Sequence, residues 1–489
     1  MSGHGISTAV SLAADLSNTI YTPLVNWPPG YSVILTPFYI LAGQDYLVAC
    51  FILELLSSIA IIFLSRRILL LMEVSLSVVN LFTLFHGFFI YYFIFTGSTD
   101  SLSIAFFLGA TALLTKSLKE DKKWYAMSIL GGFLLFLSAS LKYLYFPVVF
   151  TVPLYLFLYS IQRNNLAARK AACILFAITA TGIAGLYLYQ KSISGTGAYI
   201  SATGRGFFPE HLLRAHPQLP AAFLTSNTIG MIAGEAKPAV MTALRLLHLM
   251  LFAGLSVAAI LFLIRGGLRK SGLFINFLLL SFGLIASITL VLSGLSLVVD
   301  KELIPPDRWW TYVEDARYYG LADIMIHICV FAGFFYFRKA AQRFWKMLFI
   351  LLPFLVLPEA IRGFSFTLKR VFRYGKEKYY WQQEREFQRF GSSVIKPIQD
   401  SLGVKKLVVT GSLYYANYRT SLYHNAPVLE NPVILNDSTS LHTSKPVLLL
   451  IMLSEKSLPA FQSFINHPST RLAGTYNRFY FYTRYVTPG

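Results

Sequence analysis

The sequence is poor in charged residues and in cysteine. Only 13% of its 489 residues are charged, and its three cysteines, Cys50, Cys173 and Cys329, all lie within apolar runs. Their positions form neither a disulfide framework nor metal-ligand spacing, so no metal site is predicted. These residues alone do not decide whether a divalent metal takes part in the chemistry. Internal repeats and low-complexity tracts are also absent from the sequence.

What the sequence has in excess is apolar surface. Hydrophobic residues make up 55% of the chain and aromatic residues 16%, and the mean hydropathy is +0.57. This composition is typical of an α-helical polytopic membrane protein and rare in soluble domains. The formal charge of +19 does not indicate nucleic acid binding, because the basic residues cluster in short loops between apolar segments, where they act as topological signals.

About ten segments have the length that an α-helix needs to cross a bilayer. They lie near residues 45–65, 72–96, 101–116, 125–141, 143–161, 171–189, 240–264, 273–298, 319–337 and 345–361. One set of short loops between them is rich in lysine and arginine, and the positive-inside rule makes this set cytosolic. Its basic residues are Arg66, Arg67, Lys116, Lys119, Lys122, Lys123, Arg163, Arg169, Lys170, Arg265, Arg269, Lys270, Arg338, Lys339, Arg343 and Lys346.

The opposite ends of these helices face the extracytoplasmic side of the cell membrane. This side holds Asp100, the loops 190–237 and 299–318, the tail after residue 361, and residues 1–44, which contain no lysine or arginine. No cleavable signal peptide is visible at the start of the chain. Because an external N-terminal segment needs a preceding helix to carry it across the bilayer, we expect a further helix upstream of the first residue.

Four regions follow from hydropathy and from a change of period near residue 395. Residues 1–44 are an extracytoplasmic loop, 45–361 the membrane domain, 362–394 a basic and aromatic connector, and 395–489 a small external α/β domain. An interfacial helix and a solvated segment are equally compatible with the connector. Buried or alternating strands and one helix define the last domain. The strands lie near 407–409, 433–435, 447–452 and 475–486, and the helix over 457–466.

Asp100 is a lone carboxylate between two long apolar runs, 81–96 and 102–114. The turn that holds it, residues 97–101, is too short to be a soluble loop, so the carboxylate is held at a membrane surface. Ionisable groups at such depths are costly and are commonly functional. Capping of the following helix is the competing interpretation, because aspartate is a favoured N-cap residue.

Prolines and cations mark further candidates on the external side. The run from Trp27 to Tyr31, which contains Pro28 and Pro29, is typical of a re-entrant turn with aromatic anchors. Basic side chains on the same side suit a phosphate group. They are Lys142, Arg205, Arg214, Lys237, Arg308 and Arg317. Snorkelling would account equally well for Lys142, and helix anchoring at the headgroups for Arg317 with Tyr318.

Four short motifs, in this order, resemble those of a known family. They are residues 26–31 (Asn-Trp-Pro-Pro-Gly-Tyr), 99–102 (Thr-Asp-Ser-Leu), 141–143 (Leu-Lys-Tyr) and 315–318 (Asp-Ala-Arg-Tyr). Together they resemble the dolichyl-phosphate-mannose protein mannosyltransferase-like family over about residues 15–361. The resemblance implies a GT-C-type fold and an inverting membrane glycosyltransferase, which takes a hexosyl or pentosyl group from a polyprenyl-phosphate donor.

The resemblance also implies partners and site residues. The partners would be the lipid-linked sugar donor, membrane lipids, and an extracytoplasmic lipid, glycan or protein acceptor. The catalytic carboxylate would be the base or support it, and the cations would hold the phosphate of the donor. The implied residues are Asp100 for catalysis and Trp27, Pro28, Pro29, Lys142, Arg205, Arg317 and Tyr318 for substrate binding.

The chain departs from the family at the first external loop, where the family usually has an acidic residue. Asp15 is the only carboxylate before Asp45. The departure keeps open a merely supporting role for Asp100, and with it a non-catalytic membrane scaffold. A polytopic transporter or flippase is the other alternative. Transporters often show internal repeats and mid-membrane polar sites, whereas here the polar candidates gather at one face.

Overall fold

The structure is a computed structural model of the chain, and it separates into two compact units. One unit comprises residues 1–24 with 375–489, and the other residues 25–374. The described residues are 7–23, 28–89, 99–120, 123–194, 237–269, 271–298, 316–338, 380–411, 426–430, 441–476 and 479–488, Leu435, and scattered residues over 207–219 and 343–365.

The larger unit is a bundle of α-helices. The described helices are α1 (Gly30–Leu41), α2 (Tyr46–Leu71), α3 (Leu76–Phe89), α4 (Asp100–Glu120), α5 (Trp124–Leu141), α6 (Tyr145–Val148), α7 (Thr151–Gln162), α8 (Leu166–Ser194), α9 (Lys237–Ile264), α10 (Leu273–Val298) and α11 (Gly320–Phe337). Within the described part of the chain, eight segments are long and apolar enough to cross a membrane. The predicted class, a multi-pass helical membrane protein with a small C-terminal sheet domain, is confirmed.

Most predicted spans coincide with these helices, but two are only partly described. The span predicted at 72–96 is described as α3, whose residues 90–98 continuation lies outside the described residues, as does most of 345–361. The external loop predicted over 1–44 is wrong, because this stretch contains a β-hairpin and helix α1. Pro29 occupies the N-cap position of α1, where its missing N–H leaves no helical hydrogen bond broken.

Helix α4 is buried along most of its length, and glycines let its neighbours approach closely. A Cβ on Gly109 would lie 3.1 Å from Leu134 Cδ1 of α5, and one on Gly132 of α5 would lie 3.0 Å from Ile178 Cβ of α8. Close approach gains dispersion contacts where no hydrophobic effect drives helices together. These contacts fix α4 against α5, the pair of helices that carries the candidate site.

The smaller unit is built on a four-stranded sheet. Its described elements are β1 (Ser7–Leu12), β2 (Asp15–Pro23), α12 (Tyr380–Leu402), β3 (Lys406–Gly411), β4 (Val447–Ser454), a 3₁₀ turn (Glu455–Phe461), α13 (Gln462–Ile465), β5 (Thr470–Tyr476) and β6 (Phe479–Val486). The order is β3-β4-β6-β5. Strands β3 and β4 run parallel, and the other two pairings are antiparallel. The predicted strand at 433–435 lies outside the described residues apart from Leu435.

Central strand β4 is buried on both faces. Leu449 and Ile451 pack into one core, while Leu448 and Leu450 pack with Ile395 of α12 into the other. The predicted connector 362–394 is therefore wrong in its C-terminal part, because α12 begins at residue 380 and covers the sheet. An amphipathic helix presents the same apolar stripe to a membrane interface as to a sheet, which is why the sequence pattern did not distinguish the two.

The hairpin β1–β2 belongs to the sheet domain, although more than 350 residues separate them in sequence. Ser11 N donates to Val428 O at 3.0 Å, Val428 N donates to Ala9 O at 2.9 Å, and Leu16 N donates to His442 O at 3.0 Å. A bilayer cannot lie between hydrogen-bonded segments. The chain between the hairpin and the sheet domain must therefore cross the membrane an even number of times.

Asp15 fastens the tip of this hairpin. Its carboxylate accepts hydrogen bonds from Ser17 Oγ at 2.7 Å, from Ser17 N at 3.0 Å, and from Ser444 N and Oγ at 3.0 and 2.8 Å. The Ser17 hydroxyl, followed by Ser444, holds the pKa of the Asp15 carboxyl well below its ordinary value. A carboxyl with a lowered folded-state pKa adds stability above its unfolded pKa, and this stability is lost as the pH falls.

We expect acidification to loosen the hairpin, beginning near the unfolded pKa of aspartate at about 3.9. Hydrogen exchange at Ser444, corrected for its intrinsic pH dependence, should show protection that falls between about pH 5 and pH 3. The Asp15→Asn variant should show weaker protection with little pH dependence, because it lacks the titrating group. Equal pH dependence in the two proteins would contradict this role.

Candidate functional site

The centre of the candidate site is a buried ion pair between two residues singled out in the sequence. The ammonium group of Lys142 donates to Asp100 Oδ1. Asp100 is 4% exposed and Lys142 3% exposed. Asp100 is the first residue of α4, and Lys142 directly follows α5, so an antiparallel pair of helices brings both side chains to one end of the bundle.

Local backbone geometry directs Lys142 into the bundle. The residue is extended, with φ −153° and ψ 125°, and it ends α5 three residues before α6 begins. Its backbone N–H still donates to Ala139 O at 3.1 Å. Asp100 lies within the first turn of α4, where a negative charge also interacts favourably with the helix dipole. Capping of α4 is therefore compatible with the ion pair and does not replace it.

Two serines one helical turn below the ion pair lock the helices in register. Ser138 Oγ donates to Ser103 O at 2.9 Å, and Ser103 Oγ donates to Ser138 O at 3.3 Å. Both serines are fully buried. A reciprocal pair of side chain–backbone hydrogen bonds resists sliding and rotation of one helix along the other. Asp100 and Lys142 are thereby held opposite one another.

Tyr318 completes the surroundings of the ammonium group. Its ring centroid lies 4.2 Å from Lys142 Nζ, within the range of a cation–π contact. Tyr318 lies in a 3₁₀ turn, Ala316–Tyr319, that leads into α11. The motifs around residues 100, 142 and 318, which are far apart in the sequence, therefore meet at one place.

The proline turn reaches the same end of the bundle. Gly30 follows Pro28 and Pro29, both buried, and rests on the last turn of α5. A Cβ at Gly30 would lie 2.4 Å from Ser140 Oγ and 2.5 Å from Ser140 O, closer than any side chain tolerates. Only glycine permits this approach. Ser140 is two residues before Lys142, so the turn forms a wall beside the ion pair.

Behind this wall lies a small apolar cluster that includes Tyr31, Leu102 and Leu141. Glu54 of α2, 2% exposed, interacts electrostatically with Tyr31. The sequence indicated only that Glu54 lies in a span and pairs with polar neighbours. Its place beside the cluster adds a second buried carboxylate near the site, although no structural observation assigns it a role in the reaction.

Two further polar residues near the site have no clear signal in the sequence. Tyr145 of α6 is 1% exposed and interacts electrostatically with Asp100. Asp323 is buried in the first turn of α11, one turn before His327, whose ring centroid lies 6.1 Å from that of His86. A buried aspartate at the start of a span is the signal that could have pointed to Asp323.

Several predicted site residues are not brought to the site by the described coordinates. Trp27, Arg205, Arg214 and Arg308 lie outside the described residues. Arg317 is described only in its backbone, within the turn before α11, and Lys237 only in its backbone, as the first residue of α9. Among the described side chains, no group of three or more His, Cys, Asp or Glu could hold a metal ion.

The end of the bundle that carries the ion pair is opposite to the end rich in lysine. Helix α4 runs from Asp100 to a C-terminal stretch with Lys116 and Lys119, and α5 starts just after Lys123. Lys119 pairs with Glu73 at 3.0 Å on that end. By the positive-inside rule, the lysine-rich end is cytosolic. The ion pair then lies at the extracytoplasmic end.

Comparison with known proteins adds little to this description. No protein-family model matches the sequence, and no curated protein shows significant similarity to it. Two solved structures of ArnT from Cupriavidus metallidurans superpose on the chain. The form bound to undecaprenyl phosphate gives 12% identity, a TM-score of 0.43, and coverage of 98% of this chain and 94% of the other. The apo form gives 11%, 0.45, 98% and 95%. Scores this low identify neither a family nor an activity, so the function is inferred from the chain's own residues.

The chemical capacity of the site follows from its residues. A carboxylate can accept a proton, and an ammonium group can hold an anion. Both are withdrawn from bulk water at one end of a membrane bundle, where an anionic ligand carried by a lipid can approach along the bilayer. The site therefore suits a reaction in which a proton is removed from one substrate while negative charge develops on a lipid-borne one.

Proposed function

We propose that the chain is an integral membrane glycosyltransferase. It transfers a sugar from a polyprenyl-phosphate donor to an extracytoplasmic lipid, glycan or protein. The buried pair of Asp100 and Lys142 at the end opposite to the lysine-rich loops is the observation that carries this proposal. Nucleotide sugars are cytosolic, so a donor used at the outer face of the membrane arrives on a lipid.

Asp100 is proposed as the base that takes the proton of the attacking hydroxyl group. A positioned carboxylate contributes about 10²–10⁴-fold to such a step. Direct attack on the anomeric carbon, opposite to the departing phosphate, inverts the configuration and needs no covalent sugar intermediate. This single displacement is the simplest mechanism that the two groups can perform, for a hexose or a pentose.

Lys142 is proposed to hold the phosphate of the donor. The departing polyprenyl phosphate gains negative charge, and a preorganised cation in a water-poor site stabilises this charge strongly. Tyr318 keeps the ammonium group in place by its ring, and the turn at Pro29 and Gly30 closes one wall. Arg205 and Arg317 are proposed as further phosphate ligands from the flanking loops, on the resemblance of their motifs alone.

The sheet domain and the hairpin are proposed to lie on the extracytoplasmic side, because both flank the membrane domain on the side opposite to the basic loops. An exposed domain in this position is suited to contact a bulky acceptor. The acceptor class is tested by offering lipid, glycan and peptide substrates separately to the purified protein.

Replacement of Lys142 tests the proposed phosphate site. Purified Lys142→Met should lose most binding of polyprenyl phosphate and most transfer from polyprenyl-phosphate sugars. Lys116→Met is the matched control, because Lys116 lies at the other end of α4 and pairs with Glu120 at 3.8 Å. Wild-type protein that neither binds polyprenyl phosphate nor uses any polyprenyl-phosphate sugar would contradict the proposed function. A parallel assay with a chelator reports any need for a divalent metal.

A further inference from the structure

We propose that the phosphate of the donor and the carboxylate of Asp100 compete for the ammonium group of Lys142, so that donor binding releases the base. This inference rests on the proposed function and adds a regulatory step to the same site. Without donor, Asp100 is engaged by Lys142. With donor, Lys142 turns to the phosphate and Asp100 becomes available to an acceptor hydroxyl.

The geometry of the pair supports a competition. The side chains of Lys142 and Asp100 are only 4% and 6% exposed, and the ring of Tyr318 covers the ammonium group. An anion can reach this crowded ammonium group most directly by taking over the position of Asp100. Lysine suits such an exchange, because its ammonium group is a point charge on a flexible stem and can swing between two anions.

The charges supply the driving force for base release. The ion pair is neutral, whereas a polyprenyl-phosphate sugar brings one negative charge on its phosphodiester. Two anions and one cation then share a site that is largely closed to water. A carboxylate left there without a cation is destabilised, and accepting a proton relieves the cost. Donor binding therefore makes proton transfer from an acceptor more favourable.

The transfer step balances with these groups alone. The acceptor O–H bond breaks and its proton moves to an oxygen of Asp100. The acceptor oxygen forms a bond to the anomeric carbon of the sugar. The bond from that carbon to the phosphate oxygen breaks, and its electron pair stays on the phosphate. The new negative charge on polyprenyl phosphate lies beside Lys142, and Asp100 is neutral until it returns the proton to water.

Competition makes an unusual prediction for binding. Asp100→Asn should bind polyprenyl phosphate about tenfold more tightly than wild type, equivalent to about 1.4 kcal/mol, because the rival anion is gone. The gain should largely disappear in a Lys142→Met background. A gain of equal size in both backgrounds would reduce the effect to plain repulsion between Asp100 and the lipid, and no gain in the wild-type background would overturn the competition outright.

A second measurement uses the unmodified protein and keeps the inference testable if the variants fold poorly. Infrared difference spectra recorded on addition of polyprenyl phosphate should show a new carbonyl band from a protonated carboxyl group, as Asp100 loses its cation. Binding of the lipid without this band overturns the inference but leaves the proposed function intact. Failure of wild-type protein to bind the lipid contradicts the proposed function itself, so the two failures are distinguishable.

Discussion

Asp100→Asn is expected to lower kcat for sugar transfer by about 10²–10⁴-fold, the range that a positioned general base contributes. The amide is nearly isosteric with the carboxylate and can still accept a hydrogen bond from Lys142, so the local structure should persist. It cannot accept the proton of the acceptor. The loss should appear in kcat rather than in donor binding, because the substitution removes a transition-state interaction.

Initial rates in proteoliposomes, at saturating donor and acceptor, measure this effect. Asp45→Asn is the matched control, because Asp45 is an external aspartate whose side chain accepts from Val48 N at 3.0 Å and caps α2, and asparagine caps a helix equally well. The control should retain wild-type activity. Full activity in Asp100→Asn would reduce Asp100 to a structural cation partner and would require another base in the site.

The second large effect concerns stability. Removing either partner of the buried ion pair should cost about 3–5 kcal/mol in the free energy of unfolding, because the remaining charge is buried without compensation. Asp100→Leu and Lys142→Met are the appropriate single variants, because they delete the charge and keep an apolar volume. The double variant should recover most of the loss, since neither charge then remains.

Unfolding by denaturant in detergent micelles, followed by intrinsic tryptophan fluorescence, gives the three stability changes of this cycle. A coupling energy of several kcal/mol is expected between Asp100 and Lys142. The pair Lys116→Met with Glu120→Leu serves as a reference, because that ion pair is partly exposed and surface pairs are worth about 0–1 kcal/mol. Additive effects of the two buried substitutions would show that Asp100 and Lys142 do not interact in the folded protein.

Local signals in the sequence predicted most of the helical bundle. Hydropathy is a property of each segment by itself, and loop charge fixes the side on which each segment ends. These two signals placed Asp100, Lys142 and Tyr318 at one end of the bundle, and the structure brings these three residues into contact. Their roles in catalysis and binding stay predictions.

The misses share one cause, which is dependence on a partner far away in the sequence. The hairpin β1–β2 is short and polar on its own, and its hydrogen bonds run to Val428, His442 and Ser444. No periodicity within residues 7–23 reports those partners. Likewise, the approach of Gly30 to Ser140 depends on where α5 ends. Strand pairing and close backbone contact are set by tertiary packing, which local patterns do not encode.

The most direct test of the central claim follows the fate of the donor in one sealed system. Purified protein in liposomes receives a doubly labelled polyprenyl-phosphate sugar together with an external acceptor, and both the sugar and the lipid are counted over time. The site described above predicts that each sugar gained by the acceptor is matched by one molecule of polyprenyl phosphate, with inverted configuration at the anomeric carbon. Movement of the intact lipid-linked sugar across the bilayer, with the sugar–phosphate bond unbroken, would contradict it and would identify the chain as a flippase.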